Sequence, residues 1–256
     1  MTDAAAGRHA PPVRRTAVVT GAASGLGQVM AEHLAATGHD VAVCDVVPCT
    51  ETAERVRAHG RRAATAIADV SSPEDVAAFA ATGHEELGPV GVLVNNVGVS
   101  PYRPFLEIGL DEWRSVMRVN LDGLLLVTQA FLPDMVDAGA GRVVCMTSSV
   151  VWDPQSTEMT HYATSKAGVW GFTRSLAGEV GRHGVTVNCI APGLVRTPLL
   201  QERVPPERWA ATASRQAVPR TLEPADLLVA LDYLLSDAAS AVTGTTVPVN
   251  GGRVWL

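Results

Sequence analysis

The sequence predicts one α/β domain built on a doubly wound parallel sheet of about seven strands with helices on both faces. Three observations carry this. Short apolar, β-branched runs alternate along the chain with longer stretches whose apolar residues recur at helical spacing. The first such run leads into a glycine-rich turn and then a helix. The 256 residues, 47% of them hydrophobic, suffice for one large core, and no Pro/Gly/Ser-rich linker divides them.

Each element has its own signal. Residues 16–20, TAVVT, are continuously apolar or β-branched, as a parallel strand buried on both faces must be. A helix follows and stops at Gly38. Residues 40–45 form a second strand ending in Asp45, residues 49–59 are helical in character, and the stretch 61–70 returns to a strand ending at Asp69. Ser72 as N-cap, Pro73 in the first turn and the acids behind it open the next helix. Residues 90–96 are a fourth strand. Asp111 is expected to cap a long helix to about Ala138, and residues 141–149 are a fifth strand. A second long helix is expected over 158–182, then a strand over 184–193, a loop-and-helix insertion over 194–220, a helix from Pro224 to about Ser236, and a last strand over 245–250. Parallel strands require such crossover helices. Residues 1–15 read as a disordered arm without the apolar core of a secretory signal, and residues 16–256 as the domain.

Composition excludes several classes. Net charge is −6 and the arginines are scattered, so no nucleic-acid footprint is expected. The four cysteines form no CxxC, and no closely spaced ligand set predicts a metal. Cys44, Cys145 and Cys189 sit in strand-like runs and are expected as buried thiols. No apolar run is long enough to predict a membrane span, so the cytoplasm is the expected compartment.

The first strand-to-helix turn is Thr20-Gly21-Ala22-Ala23-Ser24-Gly25-Leu26-Gly27. Glycines serve where backbone turns tightly, approaches a pyrophosphate or packs helix against strand, and the helix N-terminus offers free N–H groups to phosphate. Asp45 at the end of the second strand is placed to accept from both hydroxyls of an adenosine ribose. A fixed carboxylate there would repel a 2′-phosphate, so NAD rather than NADP is the expected cofactor. A Walker-type loop is excluded, since GK[ST] is absent.

Ser149, Tyr162 and Lys166 stand out next. Lys166 is the only lysine; the other basic positions are all arginine. Tyr162 and Lys166 are i and i+4 and share a helix face. A free phenol with pKa near ~10 is a poor base. A nearby cation favours the phenolate, and an oxidised nicotinamide adds a second positive charge. Tyr162 would then act as general base in alcohol oxidation and general acid in the reverse. Ser149, at the carboxyl edge of the sheet, could hydrogen-bond the reacting oxygen.

Gly21, Gly25 and Gly27 as GxxxGxG, Asn95-Asn96-Val97-Gly98, Asn120, Ser149, Tyr162-x-x-x-Lys166 and Pro192-Gly193 together resemble the short-chain dehydrogenase/reductase family, in its subtype of about 250 residues and a Rossmann fold. The resemblance spans about Thr16 to Arg253. It implies that Asn120 completes a proton relay through water to Lys166, and that Lys166 holds the nicotinamide ribose. It implies that Val195 and Thr197 fix the carboxamide, that Asp69 and Val70 flank the adenine, and that Asn96 and Gly98 line the adenosine side. It also implies pairing of the two long helices across a dimer axis, with the last helix and strand completing a homotetramer. Two positions depart from the family pattern: Val97 stands where alanine is usual, and Asn250 where aspartate is usual.

For the substrate, the loops 99–105, 150–159 and 199–209 carry bulky apolar groups. Ser149, Val151, Trp152, Met159 and Leu199 are the expected substrate contacts, with Arg103 and Arg196 the only nearby cations. PYRPF, TSSVVW and THYATSK resemble the 1-phenylethanol dehydrogenase type, which implies a small hydrophobic or aryl secondary alcohol. Two alternatives remain. One is a 3-oxoacyl reductase of fatty-acid or polyketide synthesis. The other is a noncatalytic dinucleotide-binding regulator, which the intact Ser149, Tyr162 and Lys166 argue against.

Overall fold

The computed structural model describes Val13 and residues 15–255; the arm expected over 1–15 lies almost wholly outside the described residues. Strand β1 (Thr16–Thr20) is buried at every position, as its unbroken apolar character requires. Helix α1 (Gly25–Ala36) follows, and two residues past its end the chain turns at Gly38, whose φ of 99° favours glycine. Then come β2 (Asp40–Asp45), α2 (Thr50–Ala58), β3 (Ala63–Ile67), α3 (Pro73–Leu87) and β4 (Val92–Asn95). The Ser72 hydroxyl caps α3 by accepting from Asp75 N at 3.2 Å. The second half runs α4 (Leu110–Met117), α5 (Gly123–Ala138), β5 (Gly141–Met146), α6 (Thr160–Val180), β6 (Val185–Pro192), α7 (Pro198–Arg203), α8 (Pro206–Ala213), α9 (Leu228–Leu235) and β7 (Thr246–Val249).

The sheet order is β3-β2-β1-β4-β5-β6-β7, with every pair parallel. Alternation along the strands separates two cores. Ala17, Val19, Val41 and Val43 pack with Met30 and Leu34 of α1 and Leu231 and Leu234 of α9. Val18, Ala42 and Leu93 face the other way, onto Phe79 of α3, Phe131 of α5 and Val169 of α6. The winding order of successive strands reverses between β1 and β4, with β2 and β3 laid down on one side and β5 to β7 on the other. A crevice therefore opens at the carboxyl ends of β1 and β4, where α/β sheets of this kind bind ligands.

Three expectations shift. The helix expected over 111–138 is two α-helices joined by a π-helical turn, Arg118–Asp122, that contains Asn120. Its cap is Gly109, and Asp111 lies in the first turn instead. The helix expected from Pro224 begins as a 3₁₀ turn, Pro224–Leu227. The helix expected from 158 starts at Thr160, because Glu158 takes φ 61°, a left-handed conformation unfavourable for a side-chain-bearing residue. All four cysteines are free and buried. No helix among the described residues is long and apolar enough to cross a membrane.

Candidate active site

The glycine turn is shaped by close approach. Gly21 and Gly25 have φ of 65° and 61°. A Cβ on Gly27 would strike the Gly21 carbonyl oxygen and come within 2.8 Å of Asn96 Nδ2. Asn96 Nδ2 donates to the Thr20 and Gly21 carbonyls, both at 3.0 Å, so β4 braces the turn. Ser24, the N-cap of α1, makes no side-chain cap bond, and no acid lies in the first turn. The leading N–H groups of α1 thus face the crevice without a competing carboxylate.

Asp45 ends β2 beside this turn. Its Oδ2 accepts from Ala23 N at 3.0 Å and its Oδ1 from Val46 N at 2.7 Å, which fixes the carboxylate against the glycine loop. A cleft of about 500 Å³ runs from here across the sheet edge. It is lined by Gly21, Ser24, Gly25, Leu26, Asp45, Asp69, Val70, Asn96, Gly98, Tyr162, Lys166, Pro192, Gly193, Val195 and Thr197. Every residue expected at the cofactor lies on it except Gly27, which works from behind by allowing the close approach. Asp69 is held below the usual carboxylate range by the Ser71 hydroxyl and N–H, which its Oδ1 accepts at 2.7 and 2.9 Å. Thr197 caps α7 through Leu200 N at 3.4 Å. Among the described residues Lys166 is the only cation on the cleft wall.

At the far end the cleft meets a second cavity of about 200 Å³. Tyr162, Ser148 and Ser100 line both, together with Gly193 and Leu200, so these side chains stand where cleft and pocket join. Burial pushes the Tyr162 phenol up to about 12, and the Ser148 hydroxyl opposes that shift. Ser149, the serine expected here, lines only the smaller pocket and already begins a 3₁₀ turn. Ser148 keeps extended backbone, φ −159° and ψ 148°, and so continues the strand geometry toward Tyr162. Two adjacent serines were legible, but spacing to the tyrosine does not choose between them; strand geometry does.

Lys166 is buried, and burial pulls its ammonium down to about 8. Its Nζ donates to the Met146 carbonyl at 2.7 Å and lies 5.9 Å from the Tyr162 ring centre. The sequence predicts that this cation lowers the phenol. Among the protein's own groups burial dominates both residues instead. Thr147 Oγ1 donates to the Lys166 carbonyl at 2.8 Å, tying α6 to the end of β5. Asn120 sits in the π turn. Its Oδ1 accepts from Val99 N at 2.8 Å, and its Nδ2 donates to Val99 O at 3.0 Å and Ser165 Oγ at 2.8 Å. A cavity of about 10 Å³, room on the order of one water, is lined by both Asn120 and Lys166.

The substrate-side expectations fare unevenly. Met159 lines the smaller pocket. Trp152 and Val151 do not: Trp152 turns onto α6, where it meets Trp170 edge-on at 6.2 Å. Leu199 lines the larger cleft, and its neighbour Leu200 reaches both. Arg103 and Arg196 are absent from the pocket wall, being paired with Glu112 and Glu223. Arg208, Arg215 and Arg253 line it in their place. They come from the insertion and the C-terminus, too far away in sequence for any local pattern to place them.

The comparisons with known proteins agree with this geometry. The family model for short chain dehydrogenases matches residues 15–208. The chain belongs to the short-chain dehydrogenase family. It is 36% identical over 240 residues to a 3-oxoacyl-[acyl-carrier-protein] reductase of Pseudomonas aeruginosa, covering 93% of this chain and 96% of that protein. It is 37% identical over 240 residues to a cis-4-hydroxycyclohexanecarboxylate dehydrogenase of Sinomonas cyclohexanicum, with the same coverage. It superposes on a crystal structure of an actinorhodin polyketide ketoreductase with NADPH at a TM-score of 0.87 and 32% identity, covering 93% and 97% of the two chains. As a short-chain dehydrogenase, the protein is an oxidoreductase that binds a nicotinamide dinucleotide. The two departures from the family pattern are accommodated. Val97 lines the cleft floor, its Cγ2 3.0 Å from where a Cβ on Gly21 would stand. Asn250 accepts from Gly252 N and Arg253 N and donates to Val254 O at 3.1 Å, a donation aspartate could not make.

Proposed function

We propose that the chain interconverts a secondary alcohol and a ketone using NAD, with Tyr162 as general acid and base. The observation that carries the reading is the junction of the two cavities. There Tyr162 and Ser148, with Ser100 of the loop after β4, are the hydroxyl side chains shared by cofactor cleft and substrate pocket, and buried Lys166 lies 5.9 Å from the Tyr162 ring centre. When bound, the nicotinamide accepts or supplies the hydride. Tyr162 gives its proton to the developing alkoxide during reduction and takes one from the alcohol during oxidation. Ser148, in the role expected of Ser149, donates to the same oxygen as charge builds. Lys166 lies close enough to Tyr162 to favour the phenolate once the Met146 contact is shared. Asn120 holds Val99 and the start of the cavity beside Lys166, through which a water could resupply the proton.

Asp45 supports NAD over NADP. Its carboxylate is pinned beside the glycine turn, and the only lining cation among the described residues, Lys166, sits beside Tyr162 instead. A 2′-phosphate would meet like charge without compensation. The 3-oxoacyl reductase reading remains the competitor, because the pocket carries arginines that the sequence did not predict there.

The test is a steady-state screen of alcohols and ketones with NAD(H) and NADP(H) side by side. Turnover with NADH preferred by tenfold or more in kcat/KM is the expected result, corresponding to about 1.4 kcal/mol. A preference for NADPH would overturn the Asp45 argument. NADH binding without turnover of any ketone would favour the regulator.

A further inference from the structure

We propose that the substrate carries a carboxylate, bound by Arg208 and Arg215 while its carbonyl or carbinol faces Tyr162 and Ser148. The inference rests on the preceding reading of those two residues as the reacting end.

The smaller pocket bears three arginines and one carboxylate in a chain whose net charge is −6. The single carboxylate, Asp153, is already engaged. Its Oδ2 accepts from Arg253 Nε at 2.8 Å and from Ser156 Oγ at 3.2 Å, and its Oδ1 accepts from Gln155 N at 3.0 Å. The Arg253 and Asp153 side chains are only 12% and 8% exposed, so this pair is a fixed, self-neutralised part of the wall.

Arg208 and Arg215 differ from Arg253. Neither has a carboxylate within ion-pair distance among the described residues. Each is nonetheless held in place by a neutral group. The Arg208 guanidinium lies 4.9 Å from the centre of the Tyr102 ring, and Tyr102 also lines the pocket. Arg215 Nη1 donates to Gln155 Oε1 at 2.7 Å. Stacking and a neutral acceptor orient a guanidinium without cancelling its charge, and a planar fork so oriented suits a carboxylate. Both are exposed, at the mouth rather than in the core, so their charge is tolerated without a partner. The cavity, about 200 Å³, is smaller than the range for drug-sized ligands, which fits a compact keto or hydroxy acid. A purely apolar aryl pocket is not what these residues make.

The test compares three ketones on the full-length protein with NADH: 4-acetylbenzoate, its methyl ester and acetophenone. A fourth substrate, the N-acetylcysteamine thioester of acetoacetate, probes acyl-carrier chemistry. We expect the acid to exceed its ester in kcat/KM by about 30-fold, mostly through KM, because the carboxylate is remote from the reacting carbon. That ratio should fall toward one in Arg208→Gln/Arg215→Gln. In the wild type the acid's KM should rise with added salt while the ester's does not, a reading that needs no variant. An acid-to-ester ratio near one, a ratio that survives in the double variant, a salt-independent KM, or a thioester preferred to the acid would each overturn the proposal. Turnover of neutral ketones alone would sink it while leaving the oxidoreductase reading intact. Absence of turnover with every ketone would sink that reading first and this one with it.

Discussion

Tyr162→Phe removes one oxygen from a half-buried ring on α6 and leaves its hydrocarbon packing alone. Turnover should fall by about 10³-fold or more while NADH titration still shows binding, as for other lost acid–base groups. Ser148 and Ser149 offer a sharper contrast, since they are adjacent and chemically identical. Ser148→Ala should cost about 10²-fold in kcat, the scale of one lost oxyanion donor, and Ser149→Ala less than about threefold. Equal losses would show that the strand geometry misassigns the two. The pH dependence follows from burial. With the phenol pushed up to about 12, Tyr162 is protonated across the neutral range, which suits reduction and starves oxidation of base. Oxidation should therefore accelerate as pH rises from about 7 to about 9 while reduction does not, measured as kcat/KM in each direction. Lys166, drawn down to about 8 by burial, binds fewer protons folded than unfolded above that pH. It therefore destabilises the fold when charged, and the cost shrinks as pH climbs from about 8 toward about 10.5, its ordinary value. At this scale the chemistry was legible because GxxxGxG and YxxxK are local patterns. The choice between two serines was not, since it depends on where β5 stops.

Among the elements, the π turn is the part that periodicity cannot reveal. An apolar stretch from 111 to 138 reads as one helix, and the extra residue in the turn leaves no mark on the hydrophobic spacing. Its use is visible only in three dimensions, where Asn120 reaches Val99 and Ser165 through three hydrogen bonds. Asn120→Ala should lower stability by about 2 kcal/mol in denaturant titration, from buried partners left unsatisfied, and depress kcat as well. The loop after β4 is equally constrained. A Cβ on Gly98 would lie 3.0 Å from Lys166 Nζ and 3.5 Å from Asn120 Oδ1. Gly98→Ala should displace the ammonium and cut kcat by about tenfold or more with the melting temperature little altered. A normal rate would show that Lys166 tolerates displacement. Trp152 marks the opposite failure. Its position just after the serines suggested a pocket wall, but packing on Trp170 is available on the neighbouring helix and wins.

For the molecule as a whole, alternating strand and helix patterns were enough to foresee a seven-stranded parallel sheet, because a strand buried on both faces must be apolar throughout. The pocket wall was beyond reach of that logic. It joins residues near 102, 153, 208 and 253, and only the completed fold brings them together. Leu125 of α5 and Val229 and Tyr233 of α9 are exposed, and we propose that they are covered in the tetramer that the resemblance implies. Light scattering should return a mass near four chains, and a monomer at assay concentration would refute that expectation.

The claim on which the rest depends is that one cavity junction performs hydride exchange with Tyr162 as proton carrier. The most direct measurement is NADH consumption by the wild type and by Tyr162→Phe on the same ketone, with NADH binding to each measured in parallel. The account predicts turnover in the first, loss by about 10³-fold in the second, and comparable NADH affinity in both. Equal turnover by the two proteins would contradict it.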